Sequence, residues 1–189
     1  MPGFTAVLDA CVLYPAPLRD LLMSLAADGL YRAKWSQQIH DEWTRNLLAD
    51  RDDLTLEQLQ QCCTCMNAAV PDSLVTGYEE LIESLTLRDP DDRHVLAVAI
   101  RSNADSIVTF NLKDFDDDEL SKFDLYKEHP DEFISNMIEI YTPRVISAVR
   151  EMRARLKNPP KTVDEFLETL RNQGLPQSVS KLSDFADSL

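Results

Sequence analysis

Short apolar runs alternate with helical patterns along residues 1–128. Residues 4–8 and 106–110 are apolar and rich in β-branched or aromatic side chains, which predicts buried strands, and residues 30–35 are a third candidate. Between them, apolar residues recur every three or four positions, as on one face of a helix. Strands and helices in this order predict an α/β fold, with a parallel sheet covered by helices on both faces.

Capping residues mark the starts of several helices. Ser36 precedes a stripe of apolar residues at helical spacing and is expected to cap that helix. Thr55 with Gln58, and Thr162 with Glu165, have the spacing of a capping box. These patterns predict helix starts at all three sites.

The pattern of residues changes at about Pro130, where signals for strands give way to signals for helices. The pair Thr142-Pro143 predicts the start of a helix, and Gly174 separates a last helix from the one before it. No convincing strand follows Pro130. We therefore expect an α/β domain at residues 1–128 and a small all-helical extension at residues 129–189.

Composition narrows the class of protein. Hydrophobic residues make up 44% and charged residues 28% of the 189 residues, as in an ordinary soluble domain. No basic and apolar leader and no apolar stretch of membrane-spanning length is found, so no membrane association and a cytoplasmic location are expected. Around the cluster Cys62, Cys63 and Cys65, apolar residues at helical spacing (Leu56, Leu59, Cys63 and Met66) favour a helix with structural thiols over a zinc site.

The charge is strongly negative. The 33 acidic residues outnumber the 19 basic ones, and the formal net charge is −14. Such a charge repels phosphate backbones and argues against a passive nucleic-acid binder. It is compatible with a metal-dependent enzyme, because carboxylates that ligate a cation are neutralised by it.

Several acidic residues fall where a parallel sheet binds ligands. Asp9 interrupts an apolar run at the carboxyl end of the first strand, although a turn or cap aspartate is an equally good interpretation. Glu42 flanks a buried helical stripe, where a solvated glutamate is the simpler interpretation. Asp92 shares a helix face with Leu96 and Ala99, which aims it inward, while a first-turn acid that complements the helix dipole is the alternative.

Polar residues also follow the last predicted strand directly: Asn111, Asp114 and Asp116. The chain shows no comparable Ser-His pair, Gly-rich loop or Cys-His pair. Several convergent acids without such motifs favour an oxygen-lined site for Mg²⁺ or Mn²⁺.

Four segments together resemble the PIN domain: VLDACVL, SQQIHDEW, DPDDRHVLAVAI and ADSIVTFNLKDF. The resemblance runs from about Thr5 to Tyr126 and implies a PIN-like three-layer α/β/α fold. It also implies a metal-dependent endoribonuclease that uses Mg²⁺ or Mn²⁺ to cut RNA. Many members of this size are VapC-type toxins held by an antitoxin protein, and some carry a C-terminal helical extension.

The resemblance also implies roles for individual residues. Asp92 is preferred over Asp91 because it stands five residues before Ala97 and seven before Ala99, as in the family pattern. Many members have aspartate in place of Asn111, which could still offer a neutral oxygen. The implied catalytic acids are Asp9, Glu42, Asp92 and Asp114; the implied metal ligands are Asp9, Glu42, Asp92 and Asp116; Thr109 and Asn111 would orient a carboxylate, water or substrate.

A basic run in the extension is the candidate surface for RNA or a partner. Arg150, Arg153 and Lys157 would fall on one helical face, although a solvated surface is the simpler interpretation. Pairing with another copy of the chain is a further option for the extension. The competing function is a catalytically weak or inactive PIN-like module that acts through binding, which the net charge and Asn111 favour.

Overall fold

The computed structural model describes residues 3–189. Its sheet consists of parallel strands in the order β2-β1-β3-β4. The strands are β1 (Thr5–Leu8), β2 (Arg32–Lys34), β3 (Ser106–Val108) and β4 (Tyr126–Glu128). The α-helices are α1 (Ala10–Leu13), α2 (Ala16–Ala27), α3 (Gln37–Asp50), α4 (Leu56–Ala69), α5 (Glu79–Ile82), α6 (Arg93–Arg101), α7 (Asp117–Leu120), α8 (Pro130–Arg155), α9 (Val163–Arg171) and α10 (Pro176–Ser183). The predicted α/β class and the helical C-terminal region are confirmed.

The sequence pattern did not reveal β4. This edge strand has only three residues, and Tyr126 is 45% exposed, so it contains no apolar run. It pairs with β3 in the register Ser106 to Tyr126 and Val108 to Glu128. Only pairing with β3 defines it as a strand.

The order of the strands creates a crevice at one edge of the sheet. The chain passes from β1 to β2 on one side and then to β3 on the other, so strand order reverses between β1 and β3. Asp9 follows β1 and Thr109 follows β3, and the Asp9 amide donates to the Val108 carbonyl at 3.1 Å. Ligands of open parallel sheets bind at such a switch point.

The predicted helix caps are confirmed. Ser36 Oγ accepts from the Ile39 amide at 3.2 Å and begins α3. Complete capping boxes begin α4 at Thr55 and α9 at Thr162. In each box the side chain of the residue three positions later also accepts from the cap's own amide, so two free helix donors are satisfied.

The helix start predicted at Thr142-Pro143 falls at a kink within α8, where two helical segments join. Tyr141 has non-helical dihedral angles (φ −127°, ψ 35°), and α8 kinks there because Pro143 lacks an amide hydrogen and its ring crowds the preceding turn. The sequence signal therefore marked the start of the second helical segment of α8, and the first segment, which begins at Pro130, was not predicted. Although α8 has 26 residues, neither it nor any other helix within residues 3–189 is long and apolar enough to cross a membrane.

The extension packs directly on the α/β part. α8 contacts α2 on one side and α10 on the other. The buried Asp131 accepts from the amides of Gln177 and Ser178 at 2.9 and 2.8 Å, which places a carboxylate at the start of α10. That position satisfies free amides and complements the helix dipole.

Candidate active site

Asp9 occupies the crevice between β1 and β3. Its side chain is only 2% exposed, and Oδ1 accepts from the Ala10 amide at 2.6 Å. Oδ2 accepts from the Thr109 hydroxyl at 2.7 Å. These donors fix the orientation of the carboxylate, while burial raises its pKa against their opposing effect.

Thr109 connects the two strand ends. Besides donating to Asp9, its Oγ1 accepts from the Asn111 amide at 2.9 Å, which holds the loop after β3. Cys11 Sγ lies 3.2 Å from Asp9 Oδ2 and 3.3 Å from Thr109 Oγ1. The sequence analysis missed Cys11, whose only signal was its place two residues after Asp9. These contacts support the orienting role of Thr109, which stays a prediction.

Glu42 reaches a histidine on another helix. Its Oε2 lies 3.4 Å from His94 Nε2, and the glutamate side chain is 32% exposed. His94 is buried on α6 and its Nδ1 has no hydrogen-bond partner within residues 3–189. The contact fixes Glu42, so it is not the freely solvated helix glutamate of the simpler interpretation. Sequence reasoning missed His94 because a single histidine carries no spacing signal.

Asp92 stands at the junction of a short 3-10 turn and α6. The turn, Pro90–Asp92, is capped by Asp89, whose carboxylate accepts from the Asp91 amide at 2.9 Å. Asp91 is exposed, whereas Asp92 is half-buried and makes no capping hydrogen bond. The capping role therefore belongs to Asp89, and the carboxylate of Asp92 remains available.

The acidic side chains act on one another through their charges. Burial first, and then the nearby charges of Asp9, Asp89, Asp114 and Glu42, raise the pKa of Asp92 from 3.8 to about 7. Glu42 also contributes to the raised pKa of Asp9. Like charges that shift one another's pKa in this way lie within a common field. Asp89 already caps the turn, so we give the name carboxylate cluster to the other three and Asp92 itself: Asp9, Glu42, Asp92 and Asp114.

Asp114 and Asp116 take different places. Asp114 lies in the turn after β3, where its amide donates to the Asn111 carbonyl at 3.0 Å. Asp116 Oδ1 lies 3.7 Å from a guanidinium nitrogen of Arg88, and Asp116 is not among the charges that raise the pKa of Asp92. Of the two candidates, only Asp114 contributes to the raised pKa of Asp92, and its catalytic role stays a prediction.

The donor set of the cluster suits a hard divalent cation. In residues 3–189 no lysine or arginine forms a salt bridge with any of the four carboxylates. Carboxylate oxygens are the ligands that Mg²⁺ and Mn²⁺ prefer. No three His, Cys, Asp or Glu side chains of the described residues stand at ligand spacing, however, so a shared cation remains a prediction.

The predicted basic face is not continuous. α8 ends at Arg155, since the prolines at positions 159 and 160 cannot continue it, so Lys157 lies beyond the helix and its predicted place on the face is wrong. Arg153 is half-buried and donates to the backbone oxygens of Leu189 and Lys161 at 3.0 and 2.9 Å. Arg150 and Lys157 remain exposed.

Comparisons with known proteins agree with this architecture. A family model described as "PIN domain" matches residues 5–113, and one described as "VapC50 C-terminal domain" matches residues 130–184. A protein of Mycobacterium tuberculosis (strain ATCC 25618 / H37Rv) named "Putative ribonuclease VapC50" is 34% identical over 119 residues, which cover 61% of this chain and 69% of the relative. No solved structure matches the chain significantly.

Proposed function

The chain belongs to the PIN-domain family, and from this premise we propose that it is a metal-dependent endoribonuclease and the toxin of a toxin–antitoxin pair. The observation that carries the proposal is the carboxylate cluster at the switch point of the sheet, unpaired by any lysine or arginine of residues 3–189. The name of the relative, a ribonuclease, supports RNA as the substrate. A cytoplasmic site of action is part of the proposal, because RNA is its target.

The carboxylate cluster would hold the cation. When bound, Mg²⁺ or Mn²⁺ favours the deprotonation of water and offsets the negative charge that develops on a phosphodiester. Asp9 is the anchor, because two donors and burial fix its oxygens before any ligand arrives. Burial and then the nearby carboxylates raise the pKa of Asp92 to about 7, and a cation would offset the repulsion between these carboxylates, which favours its binding.

The surrounding residues position these acids. Thr109 and the Ala10 amide hold Asp9, and His94 holds Glu42 at 3.4 Å. In hydrolysis the water oxygen bonds to phosphorus and one phosphorus–oxygen ester bond breaks, which leaves a phosphate monoester and a hydroxyl end. The water loses one proton, and the leaving oxygen gains one.

The decisive experiment is RNA cleavage by the purified chain. Total RNA should be cut with Mg²⁺ or Mn²⁺, and cleavage should stop with a chelator and in Asp9→Asn. Mn²⁺ should also raise the melting temperature of the wild type but not of Asp9→Asn, which tests metal binding without activity. Cleavage that persists in Asp9→Asn, or in the chelator, would contradict the proposal.

The toxin role requires a separate test. Expression of the chain alone should arrest bacterial growth, and expression of Asp9→Asn should not. A small protein encoded beside it should relieve the arrest and copurify with the chain. Growth arrest by both forms alike would mean that the effect does not come from cleavage.

The binding-module alternative rests on Asn111, which stands where many members of the family have aspartate, and on the net charge of −14. If that module is correct, RNA or a partner binds but metal produces no cut. The same cleavage assay therefore separates the two functions.

A further inference from the structure

A groove lies between β4 and the first half of α8. It has a volume of about 250 Å³ and includes none of the carboxylate cluster. Aromatic and aliphatic side chains form most of its wall, and the carboxylates of Glu128 and Glu139 also line it. The side chains used below are Phe4, Tyr126, Glu128, Phe133, Ile140 and Tyr141.

The rim of the groove is unusually apolar for a surface. Ile140 is 69% exposed, Tyr126 45% and Tyr141 36%. Phe4 lies 6.1 Å, between ring centroids, from both Tyr126 and Phe133, so aromatic rings form one wall. Contiguous exposed apolar side chains of this kind mark interaction surfaces.

The carboxylate of Glu128 is a second, independent indication that the groove binds a ligand. Its side chain is 9% exposed, lines the groove, and its Oε2 has no hydrogen-bond partner within residues 3–189. Burial, and then the charge of Glu132, raise the pKa of Glu128. The side chains of Ser106 and Asn136 lower this pKa in part, but neither forms a hydrogen bond with Oε2. A buried carboxylate without a partner is costly, and a cation removes the cost.

The charges around the groove favour a positively charged ligand. Glu128 and Glu139 line it, and no lysine or arginine is among its lining residues. Lys181 pairs with Glu139 and leaves Glu128 without a cation. Rings that line the same space also attract cations through their faces.

We propose that the β4–α8 groove binds a protein partner through one arginine or lysine side chain that pairs with Glu128, flanked by an apolar residue against Ile140 and Tyr141. The cationic head reaches the buried carboxylate, and the apolar neighbour covers the exposed rim. The net charge of −14 favours a basic partner segment over an acidic one.

A protein segment fits better than a free organic cation. A small ammonium or guanidinium ion would satisfy Glu128 but leave the rim side chains exposed, including Ile140 at 69%. A segment with a basic and an apolar residue side by side covers both. This inference does not depend on nuclease activity.

The test is a titration of the full chain, labelled with ¹⁵N, with the capped dipeptide acetyl-Arg-Leu-amide. We expect saturable shifts of amide signals at Tyr126, Glu128 and Tyr141, and affinity at least about tenfold weaker for Glu128→Gln, because a charge-assisted hydrogen bond is lost. The citrulline analogue, which has the same shape without the charge, should bind with a similar loss. Ile140→Ser should weaken the dipeptide but not methylguanidinium.

The matched control is Glu132→Gln, which removes the same charge from an exposed neighbour outside the groove. It should bind the dipeptide nearly as the wild type does. The proposal is overturned by equal binding of the arginine and citrulline peptides, by unchanged affinity in Glu128→Gln, or by no saturable shift in the groove. Methylguanidinium that binds as tightly as the dipeptide would indicate a small-cation site, and a dimer in sedimentation that Glu128→Gln dissociates would indicate a second copy; either result also overturns it.

Discussion

Two regions of the molecule each concentrate charges of one sign, and they differ in whether the chain itself pairs these charges. The carboxylate cluster keeps its acids without a lysine or arginine partner, and burial first, then the nearby negative charges, raise the pKa of Asp92 to about 7. In the extension, most of the six basic residues between Arg144 and Lys161 donate to the chain's own oxygens. Arg144 donates to the Asp28 carbonyl, Arg153 to the oxygens of Leu189 and Lys161, Arg155 to Ser24 Oγ, and Lys161 to Thr169 Oγ1.

The difference shows what separates a binding site from a structural contact. Carboxylates can satisfy one another only through a cation or a proton, so an acidic cluster at a strand edge remains available for a ligand. Arginines near the end of a helix readily find carbonyl oxygens and stabilise the chain itself. A run of like charges in a sequence is therefore not sufficient evidence for a binding surface.

The largest expected effect is a contrast between neighbouring acids. Asp92→Asn should lower kcat/KM for RNA by more than the roughly 10–100-fold typical of changes outside the ligand set. Asp91→Asn, which changes an exposed residue in the same turn, should remain near the wild type. Single-turnover cleavage of one labelled RNA measures both, and an equal loss in the two variants would contradict the assignment.

Thr109→Val tests how the cluster is positioned. It keeps the side-chain shape but removes the 2.7 Å hydrogen bond to Asp9. We expect a loss of about 10–100-fold in Mn²⁺ affinity, measured by calorimetry, as for other groups that orient metal ligands. Thr44→Val, which removes a buried hydroxyl from α3, is the control and should leave Mn²⁺ affinity unchanged.

Arg153→Ala should reveal the structural role of the basic run. The charged side chain donates to two backbone oxygens, so its loss should lower the free energy of unfolding by about 1–3 kcal/mol. Arg150→Ala removes an exposed cation from the same helix and should leave that free energy nearly unchanged. Urea denaturation of both variants measures this, and equal stability of the two would contradict the structural role of Arg153.

The raised pKa of Asp92 predicts that its carboxyl group makes the folded chain less stable as the pH rises. With a pKa of about 7 in the folded chain and near 3.8 in the unfolded chain, Asp92 binds more protons when folded, so its contribution to stability falls as pH rises between these values. Relative to the wild type, the free energy of unfolding of Asp92→Asn should rise by up to roughly 2 kcal/mol as the pH increases from about 4 to 8 in the presence of a chelator. This is less than the full pKa shift would give, because the side chain is half-exposed and solvent screens its charge. Mn²⁺ should reduce the gain, and a gain independent of pH would contradict this origin.

The smallest effect concerns RNA binding by the exposed cations. If Arg150 and Lys157 contact phosphates, replacing both by alanine should reduce the salt slope of RNA affinity by about one unit each. Ca²⁺ in place of Mg²⁺ limits cleavage during the titration. Arg153→Ala should leave the slope unchanged, because Arg153 is already engaged by the chain. An unchanged slope in the double variant would leave the extension without an RNA contact.

Much of the architecture follows from local sequence. The apolar runs identified β1, β2 and β3, and the capping residues Ser36, Thr55 and Thr162 identified three helix starts, because a cap is formed by residues only three positions apart. The spacing also placed Asp9 at a strand end. The family resemblance, carried by short segments of the α/β part, is confirmed.

Tertiary structure decided what depends on distant residues. β4 exists because β3 offers it hydrogen bonds, and His94 matters because α6 brings it to Glu42. The side chain of Asp116 lies near Arg88, whereas the charge of Asp114 acts on Asp92. The sequence by itself determined which residues carry charge, and where helices and most strands begin. Which charges remain free for a ligand was decided only by packing, because a side chain pairs with whatever oxygen or cation the fold brings within hydrogen-bonding distance.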